Sequence, residues 1–342
     1  NDIRSNYTLN TTLAGVEEAD AVLFIGTSPR HEAPILHTRV RKAYLRNGLE
    51  AAVIGPNYKL NFDYAHIGEN AASIDKLASG NHPFFKTLTN AKNPMIIVGS
   101  AVGELGDAAS VTKSIALLAE KVPNLIRDEW NGFNVLQYAA SRTGAFDIGF
   151  VPNGQSNFSS PKFVYLLNAD EFDPSELSPD AFVVYQGHHG DKGAHLADVI
   201  LPGAAYTEKT ATYVNTEGRT QLTRAAVNPP GAAREDWKIV RALSEIAGAT
   251  LPYDDVASLR LRMSEICPTL VQYDEVEATS KSLVELGLKQ LIANSSATAS
   301  STSTPFIKVV KDFYMTDPIS RASRTMAKCS AAFTRKQDSP KI

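Results

Sequence analysis

The residues that could do chemistry sit in a few loops. Gly26-Thr27-Ser28-Pro29-Arg30 follows an apolar run and precedes a helical pattern. Such a turn can cradle an anion, because small residues permit close backbone approach and a helix start presents unpaired N–H groups. Pro29 removes one of those donors, and the same turn also serves simply to leave a strand and enter a helix. Gly99-Ser-Ala-Val-Gly103-Glu-Leu-Gly106 has the same setting, but its glycine spacing is not the dinucleotide fingerprint G-x-G-x-x-G. No GxxxxGK followed by Ser or Thr occurs, which removes support for a phosphotransferase of that type. His188, His189, Asp191 and His195 are the densest collection of possible metal ligands, directly after an apolar run. Adjacent histidines diverge on extended backbone, and Gly187, Gly190 and Gly193 imply a tightly turned loop. A hydrogen-bonded structural loop is therefore the expectation, zinc the alternative. No G-x-S-x-G elbow is present, and Cys267 falls in a predicted amphipathic helix where a buried inert thiol is the default. No catalytic residue and no metal ligand is assigned.

These loops need a frame to hold them. Nearly continuous apolar runs at Ala21 to Ile25, Ala51 to Ile54, Met95 to Val98, Phe163 to Leu167, Phe182 to Tyr185 and Val199 to Leu201 read as buried strands. They lack in-out alternation, and most are followed by a turn and an amphipathic segment, the rhythm of an α/β protein with mostly parallel, doubly wound sheets. Helices are expected over Ala33 to Arg46, Ala108 to Lys121, Gly132 to Ser141, Ala232 to Ala247, Val256 to Ile266 and Thr279 to Ala293. In the fourth, Trp237, Ile239, Val240, Leu243 and Ile246 make a stripe that reads as core. Strands ending at Gly26 and Gly55 are echoed by strands ending at Asn168 and Gly187, a weak repeat that favours two lobes. The expected divisions are a first α/β lobe over 1–92, a second over 93–230, a helical segment over 231–293, a Ser/Thr-rich linker over 294–304 and a tail over 305–342. The tail from Arg321, with one acidic residue at Asp338 among its basic ones, reads as a solvated surface.

Composition bounds the function. The 342 residues are 43% hydrophobic and 21% charged, ample for a large core, and exclude general disorder. With 34 Lys plus Arg against 37 Asp plus Glu, the net charge of −3 argues against nucleic acid as a partner. No apolar run reaches the roughly 18 residues of a membrane span. Cys267 and Cys329 are too few for an iron–sulfur cluster or a Cys-rich zinc site. Sequons at Asn6, Asn10, Asn157 and Asn294 are weighed as chance tripeptides. A start at Asn1, with neither Met nor leader, reads as part of something longer.

The most distinctive segment runs from Phe182 through Gln186-Gly-His-His-Gly-Asp191 and Ala197-Asp-Val-Ile-Leu-Pro202 to Glu208 and Tyr213-Val-Asn-Thr-Glu-Gly-Arg219-Thr-Gln221. This pattern resembles the molybdopterin-containing oxidoreductase superfamily. The resemblance implies a pterin-dinucleotide groove between α/β lobes, with Gly26, Thr27, Ser28, His188, His189 and Asp198 as candidates for a vestigial groove. Gly187-His-His-Gly-Asp-Lys192 stands where active members commonly carry a Thr-Glu-Thr-Ala type sequence, and no counterpart of their metal ligand is identifiable. His188, His189 or Lys192 is expected to be packed or hydrogen-bonded in the vacated groove. Glu217 and Arg219 are expected to be structural in a sharp turn.

Tyr185 to Asp191, Asp198 to Lys209, Ala233-Arg-Glu-Asp-Trp-Lys238 and Lys311-Asp-Phe-Tyr-Met-Thr-Asp-Pro-Ile-Ser-Arg-Ala-Ser323 are similar to the family of large iron–sulfur subunits of mitochondrial complex I. That resemblance runs along nearly the whole chain. It implies a non-catalytic structural and assembly domain, supporting NADH-to-ubiquinone electron transfer by cofactors held elsewhere. It implies no cofactor in this segment, and one 2Fe-2S and two 4Fe-4S clusters in the family's amino-terminal part. The implied partners are that part and other matrix-arm subunits, at the matrix side of the mitochondrial inner membrane. The alternative is an oxidoreductase module that retains a pterin dinucleotide.

Overall fold

The computed structural model describes residues 3–151, 161–293 and 303–334. The chain divides into two compact units. The first comprises Asn1–Asp147, Val214–Thr220 and Asp274–Lys311, and the second Ile148–Tyr213, Gln221–Tyr273 and Asp312–Ile342.

In the first unit, β1 (Ala21–Ile25), β2 (Glu50–Ile54), β3 (Ala65–Gly68), β4 (Pro94–Val98) and β5 (Phe133–Val135) form a parallel sheet in the order β3-β2-β1-β4-β5. Leu23 stands beside Ala52 on one side and Ile96 on the other. Successive side chains of a strand point to opposite faces, and both faces are covered. Leu23, Ile25, Ile54 and Ile96 share one cluster with Ile74 and Leu77 of Ala72–Ala78, and Val111 and Ile115 of Ala108–Glu120. Val22, Phe24, Val53 and Ile97 share the other with Leu36, Val40 and Ala43 of Pro34–Asn47. Double burial is why β1 and β4 read as unbroken apolar runs. Each fully buried Leu, Ile or Val adds roughly 1.5–3 kcal/mol of transfer free energy. The helix Pro34–Asn47 has a proline in its first turn and stops at Gly48, whose φ of +69° ends it in the left-handed region.

The second unit holds β6 (Phe163–Leu167), β7 (Phe182–Gly187) and β8 (Val199–Pro202), all parallel, in the order β8-β7-β6. Val164, Leu166, Val183 and Tyr185 form its inner face, packed by Phe172, Leu177, Ala194 and Ala197. Phe163 and Phe182 stack on the opposite face and are exposed. The internal repeat has a backbone counterpart. Gly26 after β1 has φ +60° and Asn168 after β6 has φ +49°. Each donates its N–H to the end of the neighbouring strand, Gly26 to Ile54 O at 2.9 Å and Asn168 to Gln186 O at 2.8 Å.

Several expectations are corrected. Gly132 to Ser141 is not a helix, because Phe133–Val135 adds a strand beside β4 and Asn134 is buried with its amide bonded to Thr11 Oγ1 and Gly132 O. The boundary at 92 falls inside one sheet, since β4 pairs with β1. The 231–293 segment is divided between the units, and Lys281–Ala293 puts Leu288 into the first unit's core. Phe306, at the start of the 305–342 division, is 3% exposed in that same core. The Trp237 stripe is not core, for Asp236–Ile246 buries no residue and Ile246 is 86% exposed. The helix Val256–Ile266 stops before Cys267, which is only half-buried. Asn1, the sequons at Asn157 and Asn294, most of the 294–304 linker and the end of the tail with Asp338 lie outside the described residues. Among the described residues no helix is long and apolar enough to cross a membrane.

Candidate functional site

Gly26, Thr27 and Ser28 lie in the first unit, His188, His189 and Asp198 in the second. At the β1 exit, Thr27 is fully buried and Ser28 is 3% exposed. Two of the backbone donors a phosphate would need are already used. Gly26 N–H goes to Ile54 O, and Ser28 N–H donates to Glu32 Oε1 at 2.7 Å. Pro29 has no N–H, and Ser28 Oγ lies 2.9 Å from His31 Nδ1. Burial raises the Glu32 carboxyl above its ordinary pKa, and the bond from Ser28 offsets part of that rise. A pyrophosphate placed here would meet this carboxylate, so the loop as folded does not fit the phosphate end of a pterin dinucleotide. Glu32 was not among the sequence candidates, although an acid four residues beyond Ser28 in a first helical turn is a readable signal.

His37, on the helix that follows, is 4% exposed and stacks on Phe62 with ring centroids 5.3 Å apart. Burial first, then Arg30, His31 and Arg41, push its pKa down to about 4. The folded state therefore resists a proton that the unfolded state accepts below pH 6.5. Stability is complete above that value and falls as pH drops toward 4. The loss attributable to His37 between pH 7 and pH 5 is about 2 kcal/mol. Denaturant unfolding at both pH values is expected to show a His37→Leu variant losing that much less than the parent, and equal losses would refute the assignment.

In the second unit, His188 and His189 follow the carboxyl end of β7, with their Nδ1 atoms 2.7 Å apart. One imidazole must donate and the other accept, so the contact requires that they not both be charged. Burial, His189 and Lys209 lower the pKa of His188, as that geometry demands. Both histidines are half-buried, whereas Lys192 is exposed. The loop is pinned from below by Asp170, which is 2% exposed and accepts from Tyr185 OH and Gly193 N, both at 2.9 Å. Arg321 pairs with Asp191 and, at 2.7 Å, with Glu171. Arg321 is thus a clamp on the loop, not part of a solvated tail.

A second buried polar chain lies beside it. Gln186, fully buried, accepts from Tyr165 OH and donates to Asp236 Oδ1 at 2.9 Å, and Asp236 is paired with Lys209. Among the described residues no group of three or more His, Cys, Asp or Glu is placed to hold a metal ion. His195 sits exposed on the short helix Lys192–Leu196. Asp198 is separated from the histidines by the length of β8. It precedes that strand, and its carboxylate accepts from Val183 N at 2.7 Å, at the opposite end of the sheet. Four residues of strand place it roughly 13 Å from the ends where α/β sheets bind ligands. Asp198 is a sheet-edge tie.

Glu217 and Arg219 act structurally within the first unit. Glu217 is 6% exposed, accepts from Leu13 N at 2.7 Å and pairs with Arg219 Nε at 3.0 Å. The turn closes at Gly218, φ +83°, whose carbonyl accepts from Arg4 at 3.0 Å.

The family model for molybdopterin oxidoreductase matches residues 1–246, and a second family model, for the C-terminal region of an NADH-ubiquinone oxidoreductase subunit, matches 275–329. The chain is 53% identical over 333 residues to the mitochondrial NADH-ubiquinone oxidoreductase 78 kDa subunit of Neurospora crassa, covering 97% of this chain and 44% of that protein. It is 44% identical over 331 residues to mitochondrial NADH dehydrogenase [ubiquinone] iron-sulfur protein 1 of Solanum tuberosum, covering 96% and 44%. Acetylene hydratase from Pelobacter acetylenicus aligns with a TM-score of 0.40 and 14% identity, covering 82% of this chain and 54% of that one. The chain spans about half the length of the curated relatives it matches. With a molybdopterin-oxidoreductase match over most of its length and such identity along nearly all of it, the chain belongs to the family of mitochondrial NADH-ubiquinone oxidoreductase 75/78 kDa subunits.

Proposed function

We propose that this chain is a non-catalytic structural and assembly domain within the large iron–sulfur subunit of complex I, and that NADH-to-ubiquinone electron transfer runs through cofactors outside it. The observation that carries this reading is the Glu32 carboxylate on the Ser28 N–H, in the loop that would otherwise face a cofactor's phosphates. The exposed apolar side chains of the second unit support it. Leu243 and Ile246 on Asp236–Ile246, with Phe163 and Phe182 on the open sheet face, are surface that a scaffold covers with its neighbours. Those neighbours are the cluster-bearing amino-terminal part of the subunit and other matrix-arm subunits, at the matrix side of the inner membrane. The domain holds cluster-bearing parts at fixed spacing. Molybdenum, tungsten and pterin measured per copy of this chain in the native complex are expected to be far below stoichiometric. A stoichiometric pterin would replace this reading with an oxidoreductase module that keeps its dinucleotide.

A further inference from the structure

In a doubly wound sheet, ligands enter the crevice where strand order reverses, at the carboxyl ends of the strands. In the first unit that point lies between β1 and β4. The two strand exits close directly on each other there. A methyl group at Gly99 would lie 2.2 Å from Thr27 Cβ and 2.5 Å from Gly26 O. Gly99 N–H donates to Ile25 O at 2.9 Å, and Ala101 N–H to Gly26 O at 3.3 Å.

What remains beside Gly26 is filled from far along the chain. A Cβ at Gly26 would stand 3.2 Å from Phe306 Cδ1 and 3.2 Å from Val102 Cγ2. The segment carrying Phe306 is tied by its backbone to the β3 exit. Phe306 N–H donates to Glu69 O at 2.8 Å, Asn70 Nδ2 donates to Ser303 O at 3.3 Å, and Pro305 bridges to Asn70. Val309 packs against the same core. The strap thus runs from the β3 exit to the β1 exit, across the end of the sheet where a dinucleotide would lie.

We propose that residues 303–309 are an intrachain occupant of the switch-point crevice, with Phe306 as the plug and the Glu32 carboxyl holding the Ser28 N–H. The strap belongs to the region that matches the subunit-specific C-terminal family model. The segment replaces the ligand that elsewhere knits such strand exits together, and it holds the β1 and β4 loops closed. This deepens the cofactorless reading and rests on it.

The test is hydrogen exchange on the complex carrying Phe306→Ala, read at the amides of 24–28 and 98–102. In that variant they are expected to exchange at least ten-fold faster than in the parent, while 236–246 in the other unit stays within two-fold. Phe306→Leu, which fills most of the space, is expected to stay within three-fold of the parent. Saturating benzene is expected to restore protection to Phe306→Ala, because an apolar cavity of that size accepts such a probe. Unchanged exchange in Phe306→Ala, or equal loosening of 236–246, overturns the plug. If Phe306→Ala does not accumulate, Asn70→Ala carries the test. Exchange rising together at 303–309 and 24–28 supports the strap, and a rise at 303–309 alone overturns it. Absent pterin with an insensitive Phe306 would remove the plug and leave the scaffold reading. Stoichiometric pterin would remove the scaffold reading itself.

Discussion

Gly99→Ala is expected to destabilise the first unit by about 3 kcal/mol, more than any surface change in this chain. The added Cβ would sit 2.2 Å from Thr27 Cβ and 2.5 Å from Gly26 O. Neither atom ends a flexible side chain, and Thr27 is fully buried, so the β1 exit itself must move. That movement strains two backbone hydrogen bonds, Gly99 N–H to Ile25 O and Ala101 N–H to Gly26 O, each worth about 1 kcal/mol. Hydrogen exchange at β1 and β4 measures the loss directly. A Thr27→Gly change in the Gly99→Ala background removes the closer of the two clashes and is expected to recover part of the loss. A cycle showing no coupling between the positions would mean that the two exits do not bear on each other as described.

Asp170→Ala is expected to cost the second unit roughly 2–4 kcal/mol. The carboxylate is buried and takes two bonds, from Tyr185 OH and Gly193 N. Tyr185 OH retains an acceptor, the His189 carbonyl at 3.1 Å, whereas the Gly193 N–H, in the first turn of Lys192–Leu196, loses its bond to Asp170 Oδ1. Gly193 is closely packed: a Cβ there would lie 2.6 Å from the Tyr185 ring and 2.7 Å from Ala169 O. Asp170→Asn keeps an acceptor for Gly193, while Tyr185 can accept from the new amide and donate to His189 O. It is therefore expected to cost no more than about 1 kcal/mol. Burial, and the bond to Asp170, hold the Tyr185 phenol protonated well above its usual pKa, and Asp170→Asn is expected to lessen that rise. Equal instability of the alanine and asparagine variants would show that volume, not hydrogen bonding, holds this loop.

The parts of the fold legible from sequence are those whose signal is local. β1, β2, β4, β6, β7 and β8 each lie within a residue or two of an apolar run. β8, also expected to be buried, leaves Val199 and Ile200 exposed, and β6 leaves Phe163 and Leu167 exposed, whereas in β1, β2 and β4 the run reflects burial on both faces. Pro34–Asn47 and Ala108–Glu120 were visible as helical faces for the same reason. β5 was not visible. Its three residues include Asn134, acceptable in a core only because Thr11 and Gly132 supply its partners. The stripe on Asp236–Ile246 misled in the opposite sense, since amphipathic spacing says that a face wants covering and not that this chain covers it.

Among the site candidates, Gly26, Thr27, Ser28, His188 and His189 all lie at carboxyl ends of strands, as their positions after apolar runs implied. Asp198 does not, because it precedes its strand and is tied to Val183. By itself, the sequence determined the α/β class, the positions of the principal strands and the family, since double burial and family motifs are written in short stretches of chain. Only the tertiary structure decided that Glu32 turns back onto Ser28, that Arg321 clamps Asp191, and that Phe306 fills the space beside Gly26. The last of these unites residues from opposite ends of the chain, and Phe306 opens a short apolar run, Phe306-Ile307-Lys308-Val309-Val310, that does not say which crevice it fills. Its burial follows from which strand exits the folded sheet brings together, and no local pattern of residues encodes that.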